Sequence, residues 1–166
     1  LHHTQETVND RVTNGDMVYI LGDVSMRGKK EELIAFVAQL KGRKVLIKGN
    51  HDDVSDYRYQ QLFHEICDYK EMHDTIGKEH YSLVLSHYPI FSWRNMGRGR
   101  ILLYGHTHES EEDRFYQKCL SEMRANDCRH VYEAEELRAY NVGCMRDYMN
   151  YTPRTLEEIL NSRRKV

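Results

Sequence analysis

Apolar residues along the chain fall into two patterns, short continuous runs and stripes with helical spacing. Four of the runs share one design. Residues 17–21 (Met-Val-Tyr-Ile-Leu) stop at Gly22-Asp23, and residues 44–48 stop at Gly49-Asn50-His51-Asp52. Residues 81–86 (Tyr-Ser-Leu-Val-Leu-Ser) stop at His87, and residues 100–104 stop at Gly105-His106-Thr107-His108. Each has the length and continuity of a strand buried on both faces. Each also delivers a carboxylate, an amide or an imidazole at its C-terminal tip, the edge at which α/β sheets bind ligands.

Helical stripes lie between the runs. Residues 1–12 put Leu1, Gln5, Val8 and Val12 on one face and end at the turn pair Asn14-Gly15. Residues 30–41 carry Leu33, Ile34, Val37 and Leu40 at helical spacing, with Gly42 placed to stop them. Strand, helix, strand in this order predicts a βαβ unit with parallel strands and a right-handed crossover. Asp56 caps a predicted helix whose stripe is Tyr59, Leu62, Phe63 and Ile66, leaving His64 and Glu65 exposed. Residues 68–76 alternate weakly and pair with 81–86, antiparallel, through Gly77-Lys78.

Residues 92–99 read as a loop, with Arg94, Arg98 and Arg100 in or beside it. Its arginines are either solvated or able to meet a substrate phosphate, while Tyr88 and Trp93 are either core or pocket residues. Residues 111–123 form a helix with Phe115, Cys119, Leu120 and Met123 inward. The polar stretch 126–136 reads as a surface excursion, and 137–142 as a late strand. After Pro153, Thr155 and Glu158 have capping-box spacing and open a last helix that buries Leu156, Ile159 and Leu160.

Composition narrows the partners. A chain of 166 residues suits a single domain. Its net charge of −2 lacks the basic stripe of a nucleic-acid binder. No apolar run approaches the roughly 20 residues of a membrane span, and the start has no signal-peptide core. Cys67, Cys119, Cys128 and Cys144 are scattered without C-x-x-C spacing, which suits a reduced, cytoplasmic setting. His2 and His3 are adjacent, point to different helix faces, and are expected to be solvated.

The strand-tip residues are chemically coherent. Asp23, Asn50, His87, His106 and His108 offer oxygen and imidazole nitrogen donors, a mixture that suits Mn²⁺, Fe²⁺, Co²⁺, Ni²⁺ or Zn²⁺. Scattered cysteines argue against a thiolate zinc site. Asp23 is the natural bridge between two ions, because a carboxylate has two oxygens. Past the strand end, an unusual turn at Gly105 brings His106 and His108 to one centre. Two ions roughly 3.5–4 Å apart activate water and clamp phosphate oxygens. His51 is then placed to protonate a leaving oxygen, with Asp52 to orient its imidazole.

Gly22-Asp23, Gly49-Asn50-His51-Asp52, Ser86-His87 and Gly105-His106-Thr107-His108 resemble, in order and placement, the GD, GNH[D/E], H and GHxH motifs of the calcineurin-like metallophosphoesterases. The late Asn141-Val142-Gly143 segment also resembles the end of small bacterial and phage members. The resemblance implies an α/β fold, a four-layer arrangement of a two-sheet β-sandwich flanked by helices. It implies two divalent metal ions, Mn²⁺ favoured, with Asp23 bridging, Asn50, His87 and His106 completing one site, and His108 serving the other. It implies His51 as proton donor and a metal-bound hydroxide attacking phosphorus. The expected substrate is a small phosphomonoester or phosphodiester, such as a nucleotide, and the chain is a candidate homo-oligomer.

The family's opening Asp-x-His motif has no counterpart in the 22 residues before Asp23. The chain is therefore expected to start just after the family's first strand. That leaves the ion shared with His108 short of ligands, and an apolar groove where the strand would lie. The alternative is a non-catalytic or single-metal scaffold of the same fold that binds a protein partner.

Overall fold

The computed structural model describes residues 2–25, 29–126 and 137–163. In chain order the elements are α1 (His2–Arg11), β1 (Met17–Ile20), α2 (Lys30–Gln39), β2 (Arg43–Ile47), α3 (Tyr57–Gln60), β3 (Glu65–Cys67), β4 (Tyr69–Ile76) and β5 (Glu79–Ser86). After a short 3-10 turn over Met96–Arg98 come β6 (Ile101–Tyr104), α4 (Glu111–Ala125), β7 (Ala139–Asn141) and α5 (Leu156–Arg163).

The strands form two sheets, ordered β1-β2-β3 and β4-β5-β6-β7. The first is all parallel, and the βαβ unit expected over β1, α2 and β2 is present. In the second, β4 and β5 form an antiparallel hairpin, with β6 parallel to β5 and β7 parallel to β6.

The continuous apolar runs are explained by burial on both faces. Val45, Ile47, Leu83, Leu85, Ile101 and Leu103 point into the core between the sheets, which α5 closes with Leu156, Ile159 and Leu160. The alternate residues point outward beneath helices, because successive side chains on a strand face opposite ways. Leu46 packs with Phe36, Val37 and Leu40 of α2. Val84, Leu102 and Tyr104 pack with Leu120 and Met123 of α4. Helix, sheet, sheet, helix is the expected four-layer architecture. Each fully buried Val, Leu or Ile side chain contributes about 1.5–3 kcal/mol.

Two expectations are corrected. The helix after Asp56 does not reach Ile66. Asp56 caps it, accepting from the Arg58 amide at 2.9 Å, but it ends at Gln60. Tyr59 and Phe63 are held in the core, and the His64 amide donates to the Lys44 carbonyl at 2.7 Å. That bond turns the chain onto the free edge of β2, so Glu65–Cys67 becomes a parallel strand. The backbone groups along β2 need partners, and this outweighs a helical stripe of four residues.

Phe115 is the second. It is 68% exposed, whereas Asp113, Leu120 and Met123 of α4 are buried. The inward stripe is rotated to bury a carboxylate that apolar spacing cannot anticipate. Val8 and Val12 do face the core as expected. The placements expected of Leu1 and of the His2 and His3 side chains lie outside the described residues. So does the excursion over 126–136, beyond the α4 cap residue Asn126.

Among the described residues β1 is an outer strand, flanked by a cleft of about 460 Å³ lined by Met17, Tyr19, Leu21, Leu85, Leu103 and Val142. No described helix is long and apolar enough to cross a membrane.

Candidate metal centre

The tips of β1, β2, β5 and β6 meet at one end of the sandwich, in contact so close that two positions must be glycine. A Cβ on Gly22 would lie 2.4 Å from His87 Nδ1 and 2.6 Å from the Gly49 nitrogen. One on Gly49 would lie 2.2 Å from Asp23 Oδ1. After β1 the backbone turns through left-handed torsions at Gly22 (φ 82°) and Asp23 (φ 52°). Asp52 holds this turn against the β2 tip: its carboxylate accepts from the amides of Asp23 (2.8 Å), Val24 (3.0 Å) and Gly49 (2.8 Å). Expected beside the His51 imidazole, Asp52 is thus occupied by three backbone donors.

His87 is 2% exposed and organises the centre. Its Nδ1 lies 2.7 Å from the Leu21 carbonyl, which can only accept, so Nδ1 carries a proton and the lone pair of the neutral ring is at Nε2. That atom faces His106 Nδ1 at 3.1 Å, Asn50 Oδ1 at 3.2 Å and Asp23 Oδ2 at 3.4 Å. Ligand atoms of Asp23, His87 and His106 all lie within 4.8 Å of one another.

A cation among these atoms would be shared by the oxygens of Asp23 and Asn50 and by the unprotonated nitrogens of the two imidazoles. Donors bound at about 2.0–2.2 Å in tetrahedral or octahedral geometry are separated from their neighbours by about 3.0–3.5 Å. The three separations from His87 Nε2 fall in that range, the spacing expected of donors that share a cation.

The last strand tip departs from expectation in one respect. Left-handed torsions fall on His106 (φ 63°) and His108 (φ 49°), not on Gly105. Gly105 instead sits in close quarters, since a Cβ there would lie 3.3 Å from the Leu21 carbonyl, a tight contact. A non-glycine residue in this region carries about 1–2 kcal/mol of strain. Thr107, between the two histidines, is 3% exposed, and the Gly105 amide donates to the His87 carbonyl at 3.0 Å.

The remaining candidates sit around this group. His108 is exposed and lies outside the three-residue cluster. The His51 amide donates to Asp23 Oδ1 at 2.9 Å, and the residue is exposed at the mouth of the site. Tyr88, 43% exposed, lies against His106, with ring centroids 4.6 Å apart. Trp93 is core, its indole nitrogen donating to the Arg100 carbonyl at 2.8 Å. Arg94 and Arg100 both turn onto Glu71, and the Arg100 hydrogen bond holds the Glu71 carboxyl below its ordinary value.

Sequence reasoning passed over three contributors. The Leu21 carbonyl leaves no signal, because any residue has one. Asp113 looks like an ordinary first-turn helix acid. Asn141 was visible only as part of the Asn141-Val142-Gly143 segment. Asp113 and Asn141 are 5% and 1% exposed and hydrogen-bond beneath the His106–His108 loop. Tyr104 joins them, its phenol held neutral far above the ordinary value by burial and by donation to Asp113.

Comparison with known proteins identifies relatives and a fold. The chain is 32% identical over 128 residues to the Gene 66 protein of Mycobacterium phage D29, covering 64% of each. It is 28% identical over 121 residues to the Gene 66 protein of Mycobacterium phage L5, covering 58% of each. The match thus spans less than two thirds of either relative's length. A crystal structure of a protein of unknown function from Aquifex aeolicus shares the fold, with a TM-score of 0.65 and 22% identity over 97% of this chain and 83% of that one. The profile of the Calcineurin-like phosphoesterase family matches residues 2–132, and the chain belongs to that family.

Proposed function

We propose that the chain hydrolyses a phosphate ester, a small monoester or diester such as a nucleotide, with divalent cations held at the strand tips. One observation carries this reading: the bare Nε2 of His87 faces two oxygens and a nitrogen at metal-ligand spacing. Asp23, Asn50, His87 and His106 would hold one ion, and His108 would contribute with Asp23 to a second. The oxygen and imidazole donors favour Mn²⁺ among the candidates. Bound there, the ions supply Lewis acidity toward phosphate oxygens and water.

The chain's own residues do the rest. His51, at the open mouth with its amide tied to Asp23, donates the proton to the leaving oxygen. Asp52 keeps Asp23 and the Gly49 loop in register through its three amide contacts. Buried His87 cannot swing away, because its Nδ1 proton is committed to Leu21.

The test is hydrolysis of p-nitrophenyl phosphate and bis(p-nitrophenyl) phosphate with and without added Mn²⁺. Turnover is expected only with the metal, falling to background in Asp23→Ala and by about 10²–10⁴-fold in His51→Ala. Metal-loaded protein that cleaves neither ester overturns the reading. A second reading, binding without turnover, draws on the exposed position of His108 outside the convergent group. Metal analysis separates the two: one ion per chain without hydrolysis favours the scaffold, two ions with hydrolysis the enzyme.

A further inference from the structure

Beneath the His106–His108 loop lies a buried polar hub that ligand chemistry alone does not require. Asp113, in the first turn of α4, accepts at a single oxygen from three donors. These are the Tyr104 hydroxyl at 2.7 Å, the Asn141 amide at 2.9 Å and the Thr107 hydroxyl at 3.0 Å. Asn141, at the end of β7, also donates to Thr107 Oγ1 at 3.2 Å and to the His108 carbonyl at 2.8 Å. Its own Oδ1 accepts from the Gly143 amide at 3.0 Å, and its carbonyl from the Tyr148 hydroxyl. Gln117, on the same helix as Asp113, donates to the Tyr104 oxygen at 2.8 Å and steadies the phenol from its far side. Arg146 places a guanidinium nitrogen 3.7 Å from the second Asp113 oxygen and 3.3 Å from Glu109.

Every contact of this hub with the loop falls on Thr107 or His108, and both flanking histidines have left-handed backbones. Such torsions persist only when surrounding bonds over-determine them. Polar groups buried this deeply are costly unless paired, so the shared contacts of Asp113, Asn141, Tyr104 and Thr107 favour this one arrangement.

The structure assigns Asp113 and Asn141 as positioning residues that hold the His106–His108 loop in its metal-binding conformation, from beneath and without touching the ion. This rests on the reading of Asp23, Asn50, His87 and His106 as metal ligands. Partners behind metal ligands typically govern affinity by 10–100-fold, and the hub differs from the usual case in acting through the backbone of the ligand loop.

The test is Mn²⁺ affinity, read from the electron paramagnetic resonance of the free ion, for the wild-type chain, Asp113→Ala, Asp113→Asn, Asn141→Ala and Leu160→Ala. Leu160 packs between the sheets, so its variant loses stability without touching the hub. Asp113→Ala and Asn141→Ala are expected to weaken Mn²⁺ binding by about 10–100-fold. Asp113→Asn, which keeps an acceptor for Tyr104 and Thr107, is expected to lose less. Leu160→Ala is expected to stay within twofold of wild type while melting at a lower temperature.

Should Asp113→Ala not fold, Asp113→Asn and Asn141→Ala carry the comparison. Hub variants binding as tightly as wild type, or Leu160→Ala weakening binding as much as they do, overturn the assignment. Wild-type protein that fails to bind Mn²⁺ overturns the ligand reading itself, and the assignment with it.

Discussion

Replacing Gly49 with alanine tests how tightly the four strand tips are assembled. The added methyl carbon would stand 2.2 Å from Asp23 Oδ1, 2.7 Å from the Asp23 nitrogen and 2.7 Å from His87 Cε1. Ordinary contact begins at 3.4 Å, so the Asp23 oxygen must retreat by about 1.2 Å, the difference between those two distances. Neither neighbour yields easily. Asp23 Oδ1 accepts from the His51 amide, the Asp23 amide is bound to Asp52, and His87 is buried and tied to Leu21. Overpacking of this kind costs about 1–3 kcal/mol of stability.

Function should suffer more than stability, because displacing a reacting group by about 1 Å costs about 100-fold in rate. Gly77→Ala is the internal control. Its Cβ meets nothing within 4 Å, but its φ of 61° leaves a backbone penalty of about 1 kcal/mol. Thermal melts, Mn²⁺ titration and p-nitrophenyl phosphate hydrolysis on both variants give the answer. Gly49→Ala should lose ion binding and turnover together, whereas Gly77→Ala should lose only stability. If Gly49→Ala binds Mn²⁺ within twofold of wild type, the strand tips are not packed as described.

Two smaller expectations concern stability alone. The Thr155 amide donates to Glu158 Oε2 at 2.9 Å, and the Glu158 amide to Thr155 Oγ1 at 3.3 Å, so Thr155→Ala should cost about 1 kcal/mol in urea unfolding. An unchanged midpoint would mean that α5 does not depend on its cap. The Glu71 carboxyl is held below its ordinary value of 4.5, chiefly by the Arg100 hydrogen bond. A depressed folded value means stability present above pH 4.5 and lost as pH falls through the lower folded value. Denaturation midpoints of wild type should therefore drop more steeply with acid below that pH than those of Glu71→Gln; parallel slopes would contradict the pairing.

Much of the molecule was legible before any coordinates. The runs that became β1, β2, β5 and β6 are apolar at every pleat because both faces are covered, and they stop where glycine and polar residues begin. The helices α1, α2 and α5 show their stripes or caps directly, and α4 shows its presence but not its rotation. The convergence of Asp23, Asn50, His87 and His106 was identifiable because residues of metal-donor type at several strand tips form a pattern in order and type.

Other features were decided only in three dimensions. Glu65–Cys67 is a strand because β2 had an unpaired edge beside it, and three residues carry no period of their own. Phe115 faces solvent because α4 is rotated to bury Asp113, whose partners Tyr104, Thr107 and Asn141 come from 9, 6 and 28 residues away. The strained torsions fell on His106 and His108, while Gly105 lies in a tight contact with Leu21. A sequence displays side-chain chemistry and its period, so it determined the strands and the donor atoms. Hydrogen bonds to backbone and contacts between distant tips depend on where the chain returns, and only the folded arrangement determined those.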